Sequence, residues 1–211
     1  MIYPQKFKIE SDLTAAYDTI TEAHICKCLV TQFGKAILHG SILAAGTATG
    51  DGRMIIRCCE NQLRKYLKNI NSVVEIGTKY GVGTILPAHY AYHATTIDIR
   101  QRTEPLAVWN YFGVNHKINY AVIENDKEKE ELLDGLDFDF AIIDGDHTYD
   151  GVALDFERTK KGGRVLFHEY ILSPPESDPH KFEPTIEFLK SLPQDEVTYD
   201  EPFAFWEKKN G

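Results

Sequence analysis

Between residues 72 and 168 the apolar positions fall into short runs, each followed by a stretch with helical spacing. The runs lie at 72–76, 94–98, 118–123, 138–143 and 164–168. The helical stretches lie at 83–91, 103–112, 127–135 and 149–159. Short runs with little polar alternation are those of strands buried on both faces. Strands alternating with helices predict a parallel sheet, covered on both sides and joined by right-handed crossovers. A proline-rich loop from Ser173 to Pro179 breaks the rhythm. A helix at 180–191 should then turn Phe182, Thr185, Ile186 and Leu189 inward. The segments 196–200 and 203–207 are joined too tightly for anything but an antiparallel pair.

The first third of the chain reads differently. Leu13, Ala16, Tyr17, Ile20 and Ala23 recur at helical spacing, continued by Ile25, Leu29, Val30 and Phe33. Ser11 or Asp12 would cap this helix, and Gly34 would end it. Residues 36–57 predict either a hairpin turning at Gly50-Asp51-Gly52 or a loop over the site. Leu63, Tyr66, Leu67 and Ile70 then form an i, i+3, i+4, i+7 stripe. The expected division is a helical extension or lid over 1–59 and a ligand-binding domain over 60–211. The extension is expected to cover the substrate pocket or to form the subunit contact of a homodimer.

Charge and cysteine usage narrow the function. A net charge of −9 argues against a nonspecific nucleic-acid surface, so no nucleic-acid partner is expected. No window has the roughly 20 apolar residues of a membrane span, and no apolar core follows Met1-Ile-Tyr-Pro-Gln-Lys, so neither a membrane nor a secretory leader is expected. Cys26-x-Cys28 and the adjacent Cys58-Cys59 fit neither zinc-knuckle spacing nor bridging of neighbours. Reduced thiols in a cytoplasmic protein are the expectation.

The candidate ligand turn is Gly77-Thr-Lys-Tyr-Gly81-Val-Gly83, between the first strand and its helix. A strand, a glycine turn and a helix place free N–H groups at the C-terminal edge of the sheet, where open α/β proteins bind nucleotide-like ligands. The spacing misses G-x-G-x-x-G, and Lys79 stands where the second glycine would be. A nicotinamide-dependent oxidoreductase is therefore the weaker reading. A ligand with an amine and a carboxylate and no phosphate suits the turn better. Glu75 could orient the amine, Asp98 ends the second strand where an acid takes ribose hydroxyls, and Asn125 and Asp126 follow the third, where acceptors could meet an adenine amino group.

Val73-Val-Glu75-Ile-Gly77-Thr-x-Tyr80-Gly81 resembles motif I of the class I S-adenosylmethionine-dependent methyltransferases. Ile143-Asp144-Gly145-Asp146-His147-Thr148-Tyr149 is similar to the fourth-strand motif of a small-molecule branch of that family. Gly162-Gly163-Arg-Val-Leu-Phe-His168-Glu169 is similar to its fifth strand, with Glu in place of the usual Asp. The resemblance covers about residues 60–207. It implies a Rossmann-like, doubly wound α/β fold with a seven-stranded, mostly parallel sheet, strand seven running reversed between five and six. It implies S-adenosylmethionine as cofactor, with Gly77, Thr78 and Gly81 under its methionine part, Asp98 at the ribose, Asn125 and Asp126 flanking the adenine, Asp144 near the sulfonium methyl, and Glu75, Tyr80 and Ile99 also among the cofactor-binding residues. The implied reaction is methyl transfer to a small-molecule acceptor, at a hydroxyl oxygen.

Asp144, Asp146, His147, His168 and Glu169 come from the ends of two strands expected to be neighbours, and four of them could converge. Two chemistries fit. Asp144 and Glu169 could hold Mg2+ or another divalent cation that acidifies the acceptor, or His147 or His168 could act as general base. The plainer reading makes the histidines structural. A methyltransferase-like module that binds the nucleoside without reacting is the alternative from another functional class.

Overall fold

The computed structural model describes residues 63–168, 182–200 and 203–209. The expected N-terminal helices, the 36–57 segment, all four cysteines, Glu169 and the proline-rich loop lie outside the described residues.

Seven strands form one sheet in the order β3-β2-β1-β4-β5-β7-β6. They are β1 (Ser72–Ile76), β2 (His93–Asp98), β3 (Ile118–Val122), β4 (Phe140–Ile143), β5 (Arg164–Phe167), β6 (Val197–Asp200) and β7 (Phe203–Glu207). The first five pair in parallel, and β7 runs antiparallel to both β5 and β6. This is the doubly wound, seven-stranded fold that the sequence predicts. The helices are α1 (Ile85–Tyr90), α2 (Glu104–Tyr111), α3 (Asp126–Gly135), α4 (Tyr149–Thr159) and α5 (Glu183–Ser191).

Strand alternation divides the apolar residues between two cores. Val73, Phe140, Ile142, Leu166, Phe203 and Phe205 pack on the side of α1 and α2. Val74, Ile76, Ile143, Val165, Phe167 and Trp206 pack on the side of α4 and α5. On that second side Phe156 of α4 meets Trp206 edge-on, with ring centroids 5.0 Å apart, and Phe188 of α5 at 5.4 Å. Such aromatic contacts fix α4, and with it the loop after β4, against the sheet.

The sequence bounds need small corrections. Helix 83–91 contracts to 85–90, because Gly83 and Thr84 are still part of the turn. Strand 138–143 begins at Phe140, because the Asp139 side chain is held by the backbone N–H groups of Asn71 and Ser72. Strand 118–123 ends at Val122, strand 164–168 at Phe167, and the last helix begins at Glu183. Leu63, Tyr66, Leu67 and Ile70 are all buried, yet the backbone over 64–69 runs in turns. The acidic run 126–131 is the solvated start of α3, with Lys127–Glu131 and Lys129–Asp126 ion pairs.

Candidate functional site

The ladder of the parallel sheet continues one residue past the ends of its strands. Gly77 N–H donates to Ile97 O, Asp144 N–H to Ile76 O and His168 N–H to Ile143 O, at 2.8, 2.9 and 3.1 Å. Asp98 accepts in the same way, from Ile123 N–H at 2.9 Å. Asp98, Gly77, Asp144 and His168 therefore stand in one row along the C-terminal edge.

Gly77 and Gly81 need their special backbone. Gly77 has φ +98°, and a Cβ there would lie 2.1 Å from the Asp144 carbonyl oxygen. Gly81 has φ +74°, and a Cβ would lie 2.6 Å from Trp109 Nε1. The indole N–H donates to Gly81 O at 2.6 Å, so α2 clamps the far side of the turn. Lys79 also has positive φ, +49°, a conformation uncommon outside glycine. Its N–H donates to Asp98 Oδ2 at 2.7 Å, and Arg100 N–H donates to Asp98 Oδ1 at 2.9 Å. Asp98 thus ties the glycine turn to the end of β2 while staying partly exposed.

Glu75 lies inside, with no exposed surface. Its Oε2 accepts from the hydroxyls of Thr84 and Thr96, the latter at 2.6 Å, and the Thr78 hydroxyl lies 2.6 Å from that of Thr96. Among the described residues Oε1 has no hydrogen-bond partner, and the residue lines a cavity with Gly83, Leu86, Asp144, His168 and Phe203. Burial pushes the Glu75 carboxyl up to about 8, against the lowering effect of the two threonine hydroxyls. Below about pH 4.5 the carboxyl is protonated in both folded and unfolded chains. As pH rises the unfolded chain ionises first and the folded one only near pH 8, so stability falls across that window. Glu75→Gln keeps an oxygen for the two hydroxyls and removes the titration. Urea unfolding at pH 5 and pH 8 should show the wild type losing about 3 kcal/mol more than the variant. Equal losses would contradict a buried neutral acid.

Asp144 and both histidines meet. His168 Nδ1 lies 3.0 Å from Asp144 Oδ1, and His147 Nε2 lies 3.4 Å from the same oxygen. Burial alone would raise the Asp144 carboxyl. The charge of His168, with hydrogen bonds from His147 and His168, outweighs burial and holds it well below the usual carboxylate range. Asp144 does not cap α4. That role falls to Thr148, whose Oγ1 accepts from Gly151 N–H at 3.1 Å. Asp146 is not in the cluster either: its Oδ1 accepts from Thr148 N–H at 2.9 Å, and its side chain packs against Gly151.

The remaining candidates are dispersed. Ile99 is 70% exposed beside Asp98. Tyr80 packs partly buried on the α2 side. Asn125 caps α3, accepting from Glu128 N–H at 3.1 Å, and Asp126 pairs with Lys129. Sequence reasoning missed Thr96, Trp109 and Asp155. The buried Asp155 pairs with Lys129 at 2.7 Å behind Gly145. A polar residue inside a strand and an Asp inside a helix were the available signals.

The donor set suits a cationic, phosphate-free nucleoside, because Asp98 and Asp144 give the row an acidic rim. Among the described residues no three His, Cys, Asp or Glu side chains are grouped to hold a metal, and Glu169, the other ligand expected beside Asp144, lies outside them.

Residues 74–170 match a family model described as a methyltransferase domain. No curated protein matches the chain. Among solved structures, the O-methyltransferase TomG from Streptomyces achromogenes, involved in tomaymycin synthesis and in complex with S-adenosylmethionine, is similar with a TM-score of 0.57 and 16% identity, over 98% of this chain and 100% of that one. An O-methyltransferase from Bacillus cereus in complex with S-adenosylhomocysteine has a TM-score of 0.51 and 16% identity, over 70% of this chain and 78% of that one. At such identity these likenesses are of fold. Among the described residues no helix is long and apolar enough to cross a membrane. Over residues 74–170 the chain is therefore similar to a methyltransferase domain, and its sheet has the fold of the class I S-adenosylmethionine-dependent methyltransferases.

Proposed function

We propose that the chain transfers a methyl group from S-adenosylmethionine to a hydroxyl oxygen of a small molecule. The observation that carries this reading is the ionised Asp144 with two imidazoles on one of its oxygens, in the same row as the glycine turn and Asp98. S-adenosylmethionine supplies a methyl group on a positively charged sulfur, open to direct displacement by the acceptor oxygen. The chain's own task is then alignment and removal of one proton.

Asp144 as an acceptor sets the tautomers. An N–H of each ring faces it, at Nδ1 of His168 and Nε2 of His147. His168 is nearly buried, with 7% of its side chain exposed, and serves to hold Asp144 in place. His147, 27% exposed, is the ring an acceptor can reach, and its Nδ1 takes the hydroxyl proton. Asp144 then stabilises the imidazolium so formed, as carboxylates do behind catalytic histidines. No step runs through a metal. The carboxylate of Asp98 takes the ribose, the role its strand-end position gives an acid in folds of this type. TomG and the Bacillus cereus enzyme are O-methyltransferases in complex with the donor or its product, which supports both donor and oxygen acceptor.

Thermal melting tests the reading. Saturating S-adenosylhomocysteine, at about a hundred times its Kd, should stabilise the protein by about 2.7 kcal/mol, a rise of roughly 5–10 °C, while NAD gives none. Asp98→Asn should remove most of that rise. A shift with NAD alone would favour the oxidoreductase. Binding of S-adenosylhomocysteine with no methyl transfer to any phenol, catechol or alcohol tried would favour the non-catalytic module.

A further inference from the structure

Arg102 stands beside the glycine turn and, among the described residues, has no acid to pair with. It lies in the β2–α2 loop, four residues past Asp98, and the loop is pinned there. Its N–H donates to Tyr120 Oη at 3.2 Å, and that hydroxyl donates to Arg100 O at 2.8 Å. The guanidinium lies over the Tyr80 ring, 5.6 Å from the centroid. Its Nε is buried and, among the described residues, finds no hydrogen-bond partner. Both Asp98 oxygens are already bonded to the N–H groups of Lys79 and Arg100. Arg158 and Arg164, by contrast, are ion-paired to Asp126, Glu130 and Asp139.

A fixed, half-buried guanidinium with a buried unused donor is poorly solvated and gains most from a planar anion, which its fork can bind with two parallel hydrogen bonds. Tyr80 belongs to the turn assigned to the methionine part of the donor. We infer that Arg102 is a binding residue for the methyl donor, pairing through its guanidinium with the amino-acid carboxylate of that molecule. The assignment rests on S-adenosylmethionine as donor. It explains how a rim bearing two aspartates can take a zwitterion: the aspartates favour its cationic groups, and Arg102 favours its anion.

The test is equilibrium binding by calorimetry. Two ligands are compared, S-adenosylhomocysteine and its analogue lacking only the carboxylate. Three proteins are compared, the wild type, Arg102→Met and Arg100→Met. The wild type should bind S-adenosylhomocysteine about tenfold to a hundredfold more tightly than the analogue. Arg102→Met should erase that preference by weakening S-adenosylhomocysteine alone. Arg100→Met removes an equal charge two residues away and should change neither Kd by more than about twofold. Arg102→Lys keeps the charge without the fork and should fall between, which guards against a variant that fails to fold. Equal weakening of both ligands in Arg102→Met, no weakening, or an equal loss in Arg100→Met would overturn the assignment. A wild type that binds neither ligand would overturn the donor reading itself, and this assignment with it.

Discussion

Asp144→Asn should lower kcat by about a thousandfold while S-adenosylhomocysteine still binds within about tenfold of the wild type. The magnitude follows from what the carboxylate does. One oxygen faces Nδ1 of His168 and Nε2 of His147. An amide can present an oxygen to one ring, but it has no charge to stabilise an imidazolium. Its NH2 group would also favour the wrong tautomer of whichever ring it faced. Loss of an orienting carboxylate behind a catalytic histidine costs factors of this order. Binding should separate from turnover because S-adenosylhomocysteine lacks the sulfonium charge that Asp144 would face. Single-turnover methyl transfer, measured beside a calorimetric Kd, reads both quantities. A kcat within tenfold of the wild type would remove Asp144 and His147 from the chemistry.

Gly77→Ala should unfold the site and cost about 4 kcal/mol or more. A Cβ at this position would sit 2.1 Å from Asp144 O, 2.5 Å from Asp144 C and 2.8 Å from Gly145 N. All three are backbone atoms, so no side chain can swing aside. The positive φ of +98° adds strain for any L-residue. Relief means parting the end of β1 from the end of β4, which breaks the Asp144 N–H to Ile76 O bond. Urea denaturation should give a much lower midpoint, and S-adenosylhomocysteine should no longer raise the melting temperature. Gly113→Ala is the control: its φ is also positive, at +72°, but a Cβ there meets nothing within 4 Å. It should show the strain alone, about 1–2 kcal/mol.

The sheet could be read from the sequence because its strands are short, apolar and separated by amphipathic helices. Val73-Val74 and Ile142-Ile143 leave no solvent face, so a parallel, doubly covered sheet was the solution open to them. The reversed β7 followed from the tight joint at Glu201-Pro202. Asp98, Gly77, Asp144 and His168 were legible because each sits at or just past the end of a strand, where backbone pairing aligns it with its neighbours. Asp146 was left open, because spacing alone cannot distinguish a carboxylate facing the pocket from one accepting from Thr148 N–H. Glu75 looked like part of the rim. Strand alternation puts it instead on the face under α1, between Thr84 and Thr96, a fact that depends on two threonines 12 residues apart. Arg102 carries no motif, and only its position over Tyr80 draws attention to it.

The row formed by Asp98, Gly77, Asp144 and His168 also fixes a scale. Neighbouring strands lie about 4.8 Å apart, so the acid of β2, the turn of β1, the acid of β4 and the imidazole of β5 occupy marks on a ruler that the backbone alone has graduated. Loop mutations cannot change those intervals. What can be tuned is how far each side chain reaches from its mark. A new acceptor or a shifted methyl position on this scaffold would thus come from exchanges such as Asp for Glu or His for Gln at the three positions that carry a side chain, and from whatever segments close over them, with Gly77 and the sheet left as they are.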